Sequence, residues 1–195
     1  YINKMSYYIK VKDTKTSKRI IEEYREIIRN PGSLSNFYCI KIPEQNNIFE
    51  WEVMVIGPKN TSYKGGLFYL SIKFPFDYPE HGPEICFKTP IYHINVNSIK
   101  SNLPGAEPVG NICKSILKSW EPEDKIREFL MDFYPIFRRV NPESAYCVER
   151  VDEFKLNRSL YEEKIKYFTK KYANPYRKNV YKDNDDSWDF SYDVK

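Results

Sequence analysis

Phe49-Glu50-Trp51-Glu52-Val53-Met54-Val55 is the stretch whose reading decides the fold, because large apolar side chains recur at every second position. That period is the signature of a strand with one face buried. It returns in Phe68-Tyr69-Leu70-Ser71-Ile72-Lys73-Phe74 and again around Ile85-Cys86-Phe87, with a weaker run from Phe37 to Ile42. Gly57-Pro58-Lys59-Asn60 and Gly65-Gly66 supply turn chemistry between the runs. Links this short join antiparallel neighbours, so four strands in a meander are predicted.

The period changes on either side of these runs. Ser17 to Arg29 reads as an amphipathic helix carrying Ile20, Ile21, Tyr24, Ile27 and Ile28, stopped by Asn30-Pro31-Gly32-Ser33. After Pro122, placed in the first turn, Ile126, Phe129, Leu130, Phe133, Tyr134 and Phe137 form a second stripe, which Pro135 should kink. Further helices are predicted from near Pro142 and along Tyr161, Ile165, Phe168 and Tyr172. The order is helix, four strands, a loop segment, then helices. That is a segregated α+β fold with helices covering one face of the sheet.

A chain of 195 residues supports one well-buried domain, read as 17–173, with a basic extension at 1–16 and an acidic, aromatic one at 174–195. The net charge of +4 gathers at Lys4, Lys10, Lys12, Lys15, Lys18 and Arg19, a solvated face rather than a nucleic-acid footprint. No apolar run is long enough for a membrane span, and no secretory signal is visible. The four cysteines, at 39, 86, 113 and 147, have neither metal-ligand spacing nor a disulfide framework. Strand packing accounts for Cys39 and Cys86. A reduced compartment, cytoplasmic or nuclear, and a monomer needing no metal or organic cofactor are the expectations.

One cysteine stands apart. Cys113 lies in Gly110-Asn111-Ile112-Cys113-Lys114-Ser115, with Tyr92-His93-Ile94-Asn95 upstream and Trp120-Glu121-Pro122 downstream. Alone it would read as a small buried hydrophobe. A thiol nucleophile, an amide donor and a rigid aromatic-proline wall together suit acyl transfer through a thioester.

The same residues resemble the ubiquitin-conjugating enzymes. Phe49-Glu50-Trp51, Gly57-Pro58, Tyr63-Lys64-Gly65-Gly66, Phe74-Pro75 and Tyr78-Pro79 through Pro83 look like that family's sheet signature. His93-Ile94-Asn95 looks like its His-Pro-Asn tripeptide, and Asn141-Pro142-Glu143-Ser144 like the turn before its late helices. The resemblance implies that Cys113 takes ubiquitin or a ubiquitin-like protein from an activating enzyme, then passes it to a lysine or a ligase cysteine. Asn95 would stabilise the tetrahedral oxyanion, worth about 10²–10³ in rate, or shape the active loop. His93 would be structural. Ser144 would occupy a gate position often acidic in the family, where a serine weakens carboxylate assistance and leaves room for phosphorylation. Lys18 and Arg19 would meet the activating enzyme.

Three departures are visible. Ile94 stands where the tripeptide has proline, so φ is not fixed by a ring. The link from Asn95 to Gly110 is roughly ten residues longer than usual, making 96–109 an inserted loop. Glu80 and Glu123 stand where ligase-docking loops usually carry apolar residues, which points to an atypical ligase. A conjugating-type scaffold without turnover is the alternative reading, and a peptidase using Cys113 with His93 is a distant third.

Overall fold

Four strands, β1 (Tyr38–Lys41), β2 (Glu50–Ile56), β3 (Leu67–Lys73) and β4 (Glu84–Phe87), form one antiparallel sheet in chain order. The structure is a computed structural model describing residues 14–36, 38–41, 47–98 and 103–174. The expectations for 1–13 and 175–195 therefore lie outside the described residues. Register lines up Ile40, Val53, Leu70 and Phe87 across all four strands, with Trp51, Ile72 and Ile85 forming a second row on the same face. Val53, Leu70, Trp51 and Ile72 are fully buried, each contributing about 1.5–3 kcal/mol of transfer free energy. Cys39 pairs with Met54 on the opposite face and is exposed, so the core packing expected for it is not found. On a strand, the residue beside a buried one points the other way.

α1 (Lys15–Arg29) and α2 (Ile126–Phe133) meet the buried face, through Tyr24 on Trp51 and Phe133 on Phe87. α1 starts two residues before the expected Ser17, because Thr14 and Ser17 cap each other. Thr14 Oγ1 accepts from the Ser17 amide at 3.1 Å, and Ser17 Oγ accepts from the Thr14 amide at 3.0 Å. Tyr24 then meets Trp51 edge-on at 5.4 Å.

α2 (Ile126–Phe133) begins later than Pro122. Residues 121–124 instead make a turn, with the Asp124 amide donating to the Glu121 carbonyl at 2.9 Å. The helix begins where Glu23, buried on α1, reaches across and accepts from the Ile126 amide at 2.7 Å. A carboxylate at a helix N-terminus satisfies an orphan N–H and complements the dipole. Pro135, expected to kink a continuous helix, instead lies just past the end of α2, where Tyr134–Phe137 forms a 3₁₀ turn that presses Phe137 on Phe68 at 5.2 Å.

Near Pro142 there is only a short 3₁₀ turn, Pro142–Ser144, and α3 (Val148–Leu156) follows it. α4 (Arg158–Tyr172) buries Tyr161, Ile165, Phe168 and Tyr172, the four residues predicted to share a face. Phe168 stacks on Tyr92 at 5.1 Å, which anchors the segment leading into His93.

Candidate active site

Three loop segments converge below the sheet: 92–98, 110–117 and 141–147. Asn95 holds them together. Its side chain is fully buried and forms three hydrogen bonds to the 141–144 turn. Oδ1 accepts from the Asn141 amide at 2.8 Å, and Nδ2 donates to the carbonyls of Asn141 at 2.7 Å and Ser144 at 2.9 Å. Its backbone carbonyl accepts from the Cys113 amide at 2.9 Å. Both Nδ2 hydrogens are thus engaged, so in this geometry Asn95 shapes the loop; donation to an oxyanion requires one bond to open.

His93 lies beneath Asn95, buried, with Nδ1 accepting from the Asn95 amide at 3.0 Å and Nε2 donating to the Ile136 carbonyl at 3.1 Å. Burial pushes its pKa down to about 4, overcoming the hydrogen bonds to the Ile136 and Arg139 backbone that favour the cation, with Arg150 adding to the depression. The ring is neutral and both nitrogens are committed, so the pairing with Cys113 that a peptidase needs is not formed.

Cys113 is half-buried and opens a 3₁₀ turn, Lys114–Ile116. Its Sγ lies 3.1 Å from Ser115 Oγ, which also accepts from Asn141 Nδ2 at 3.3 Å. Lys114 is exposed, and Ser144 is half-buried with its carbonyl held by Asn95. Ile112, between Cys113 and Asn111, points into the core and bridges to Val96. Gly110 is required here: its φ is +87°, and a Cβ would come within 1.9 Å of the Phe87 carbonyl oxygen.

Val96 and Asn97 are buried. Asn97 clasps the returning chain: Nδ2 donates to the carbonyls of Glu107 at 2.7 Å and Pro108 at 3.1 Å, and its own carbonyl accepts from the Gly110 amide at 2.7 Å.

Ile94 is fully buried. Arg150 of α3, also buried, restrains the backbone around it. Its guanidinium donates to the His93 carbonyl at 3.1 Å and to Ser98 Oγ at 2.6 Å, and lies 4.4 Å from the centre of the Tyr92 ring. Tyr92 in turn donates to Glu153 at 2.7 Å, and Lys164 of α4 pairs with the same carboxylate. The sequence reading missed Arg150, since a lone arginine among acidic residues reads as solvent-facing. It missed Ser115 too, although adjacency to Cys113 was a usable signal.

The remaining predicted residues lie away from Cys113. Lys18 is exposed on α1. Arg19 is partly covered, bound to Glu23 and to the Asp124 carbonyl at 3.0 Å. Glu80 and Glu123 are exposed on two loops tied together by Trp120, whose Nε1 donates to the Pro79 carbonyl at 2.8 Å. Gly82 lies flat on Trp120, where a Cβ would come within 2.6 Å.

The family model for ubiquitin-conjugating enzymes matches residues 19–169, spanning the sheet, the converging loops and nearly all of α4. The chain belongs to the ubiquitin-conjugating enzyme family. The curated "Probable ubiquitin-conjugating enzyme E2 31" of Arabidopsis thaliana is 37% identical over 163 residues, covering 83% of this chain and 96% of that protein. A crystal structure of a "putative ubiquitin conjugating enzyme" from Plasmodium yoelii superposes with a TM-score of 0.70 at 29% identity, covering 84% of this chain and 99% of that one. The E2 domain of a Toxoplasma gondii ubiquitin conjugating enzyme gives 0.66 at 28% identity, covering 81% and 99%. The predicted α+β architecture of a conjugating-enzyme core is the one found.

Proposed function

We propose that Cys113 accepts ubiquitin, or a ubiquitin-like protein, from an activating enzyme as a C-terminal thioester, then passes the acyl group to a lysine amine or a ligase cysteine. The observation that carries this reading is the position of the thiol: half-buried and on the outer side of a loop bonded to Asn95. A nucleophile that must meet a protein's C-terminus and then an acceptor needs such access, with a fixed backbone behind it. Asn95 and His93 act as the frame, and Ser115 and Asn141 set the polar surroundings of the thiol. Ser144 contributes its carbonyl to that frame rather than a carboxylate to the acceptor.

The Ile94 departure does not leave the loop slack, because Arg150, Tyr92 and Glu153 brace it from below. This support weighs against a scaffold that has lost turnover.

Lys18 meets the activating enzyme from the exposed side of α1, while Arg19 stabilises the helix and the 121–124 turn. A ligase would meet Glu80 and Glu123 with Phe76 nearby in chain, 90% exposed. The complementary partner presents basic residues around an apolar contact.

Replacing Cys113 with serine tests the carrier role. The variant should accumulate a ubiquitin oxyester that survives reducing agent but not alkali. A variant that still forms a reductant-sensitive thioester, and no oxyester, would assign the carrier to another cysteine.

A further inference from the structure

The 96–109 segment carries a carboxylate, Glu107, onto the side chain of Asn111, two residues from Cys113. Asn111 and Ile112 each form an isolated β-bridge, and Asn111 and Cys113 are half-buried on either side of the buried Ile112. Asn111 Nδ2 donates to the Glu107 carboxylate. Glu107 is fixed from behind as well, by the Asn97 clasp on its own carbonyl and on that of Pro108. The Tyr146 amide donates to the Ile94 carbonyl at 3.1 Å, fixing its backbone against the 92–98 segment. Its phenol is pushed up by burial, by Glu107 and by Cys113, and drawn down by a hydrogen bond with Asn111, so it lies within electrostatic reach of both carboxylate and thiol.

We propose that Glu107 and Tyr146 form the acceptor-amine subsite of this enzyme, Glu107 supplying from the insertion the carboxylate that Ser144 does not provide. The inference rests on the acyl-carrier reading of Cys113. A lysine ammonium enters between Glu107 and the thioester, and the carboxylate takes one of its protons. The amine nitrogen attacks the carbonyl carbon, forming the C–N bond. Collapse of the tetrahedral intermediate breaks the C–S bond, the electron pair returns to Sγ, and the second amine proton goes to the departing thiolate. The products are the amide, the Cys113 thiol and protonated Glu107, which returns its proton to water. Tyr146 covers one side of the amine and lowers the local dielectric, which strengthens the pull of the carboxylate.

The insertion thereby selects a cationic acceptor over a neutral or thiol one. The test compares discharge of the ubiquitin thioester, formed with activating enzyme and ATP, onto free lysine and onto free cysteine. Glu107→Gln retains an acceptor for Asn111 and removes the charge. It should load like wild type and discharge to lysine about tenfold more slowly, below the 10²–10⁴ of a full general base because water also takes the proton. Discharge to cysteine should be unchanged or faster. Glu107→Lys should lose more with lysine and nothing with cysteine. Equal rates for Glu107→Gln and wild type on lysine, or equal losses on both acceptors, would overturn the subsite while leaving the carrier reading intact. A wild-type chain that forms no thioester would overturn both.

Discussion

Asn95 and Asn141 are joined by a reciprocal pair of hydrogen bonds, side chain to backbone, at 2.8 Å and 2.7 Å. The pair closes like one rung of a sheet and fixes the distance between the Cys113 loop and the 141–144 turn. Both partners lie at the base of the candidate site, so the frame is set before any substrate arrives.

Removing that rung should affect discharge more than loading. Asn95→Ala leaves the Asn141 and Ser144 carbonyls and the Asn141 amide without their side-chain partner, at a cost of about 2–4 kcal/mol by analogy with other buried bonds. Urea denaturation should show the loss as a lower midpoint. Single-turnover assays should show slower transfer to lysine with loading less affected. Equal defects in both steps would count against a specific role in transfer.

Arg150 should behave as the brace that stands in for proline. Arg150→Met removes a buried hydrogen bond to His93, a partly buried one to Ser98 and the stacking on Tyr92, and should destabilise the fold by about 2–4 kcal/mol. Lysine is a poor replacement, because one ammonium cannot reproduce the planar fork that spans His93 and Ser98. Adding Ile94→Pro to Arg150→Met should recover part of the discharge rate by fixing φ at position 94. No recovery in the double variant would show that Arg150 stabilises α3 alone.

His93 gives a pH dependence of definite sign. Its pKa falls from the ordinary 6.5 to about 4 in the folded chain. Between those values the unfolded chain binds a proton that the folded chain does not, so stability rises with pH through this window and levels off above pH 6.5. The full window amounts to about 3 kcal/mol. The chain has only two histidines, so imidazole resonances followed by NMR can be assigned with one substitution. His93 should titrate near 4; a value near 6.5 would contradict its burial as a neutral ring.

Much of the fold was legible because apolar periodicity is a local signal. The alternation from Phe49 to Val55 and the stripe through Tyr161, Ile165, Phe168 and Tyr172 identify β2 and α4 without any tertiary knowledge. The start of α2 was not legible, because its capping group is Glu23, 103 residues away along the chain. Pro122 suggested an earlier start and was instead part of a turn. Arg150 was hidden for a related reason: its burial depends on the carbonyl of His93 and the ring of Tyr92, which no window around α3 contains. In the site, Cys113, Asn95 and His93 could be picked out by motif. The Asn97 clasp and the pairing of Asn111 with Glu107 required the path of the chain between Asn97 and Asn111.

The Glu23 cap carries its own prediction. Glu23→Ala should free the Ile126 amide and leave Tyr78 and Arg19 without their shared acceptor, lowering stability by about 2–3 kcal/mol. Hydrogen exchange should quicken first at Ile126 and the first turn of α2. Unchanged protection at Ile126 would mean the cap is dispensable.

The most direct measurement is a loading assay with the full chain, ubiquitin, an activating enzyme and ATP, resolved on gels with and without reducing agent. A product heavier by one ubiquitin is expected, lost on reduction and absent from Cys113→Ala. A product that persists in Cys113→Ala, or none from folded wild type across several activating enzymes and ubiquitin-like proteins, would contradict Cys113 as the acyl carrier.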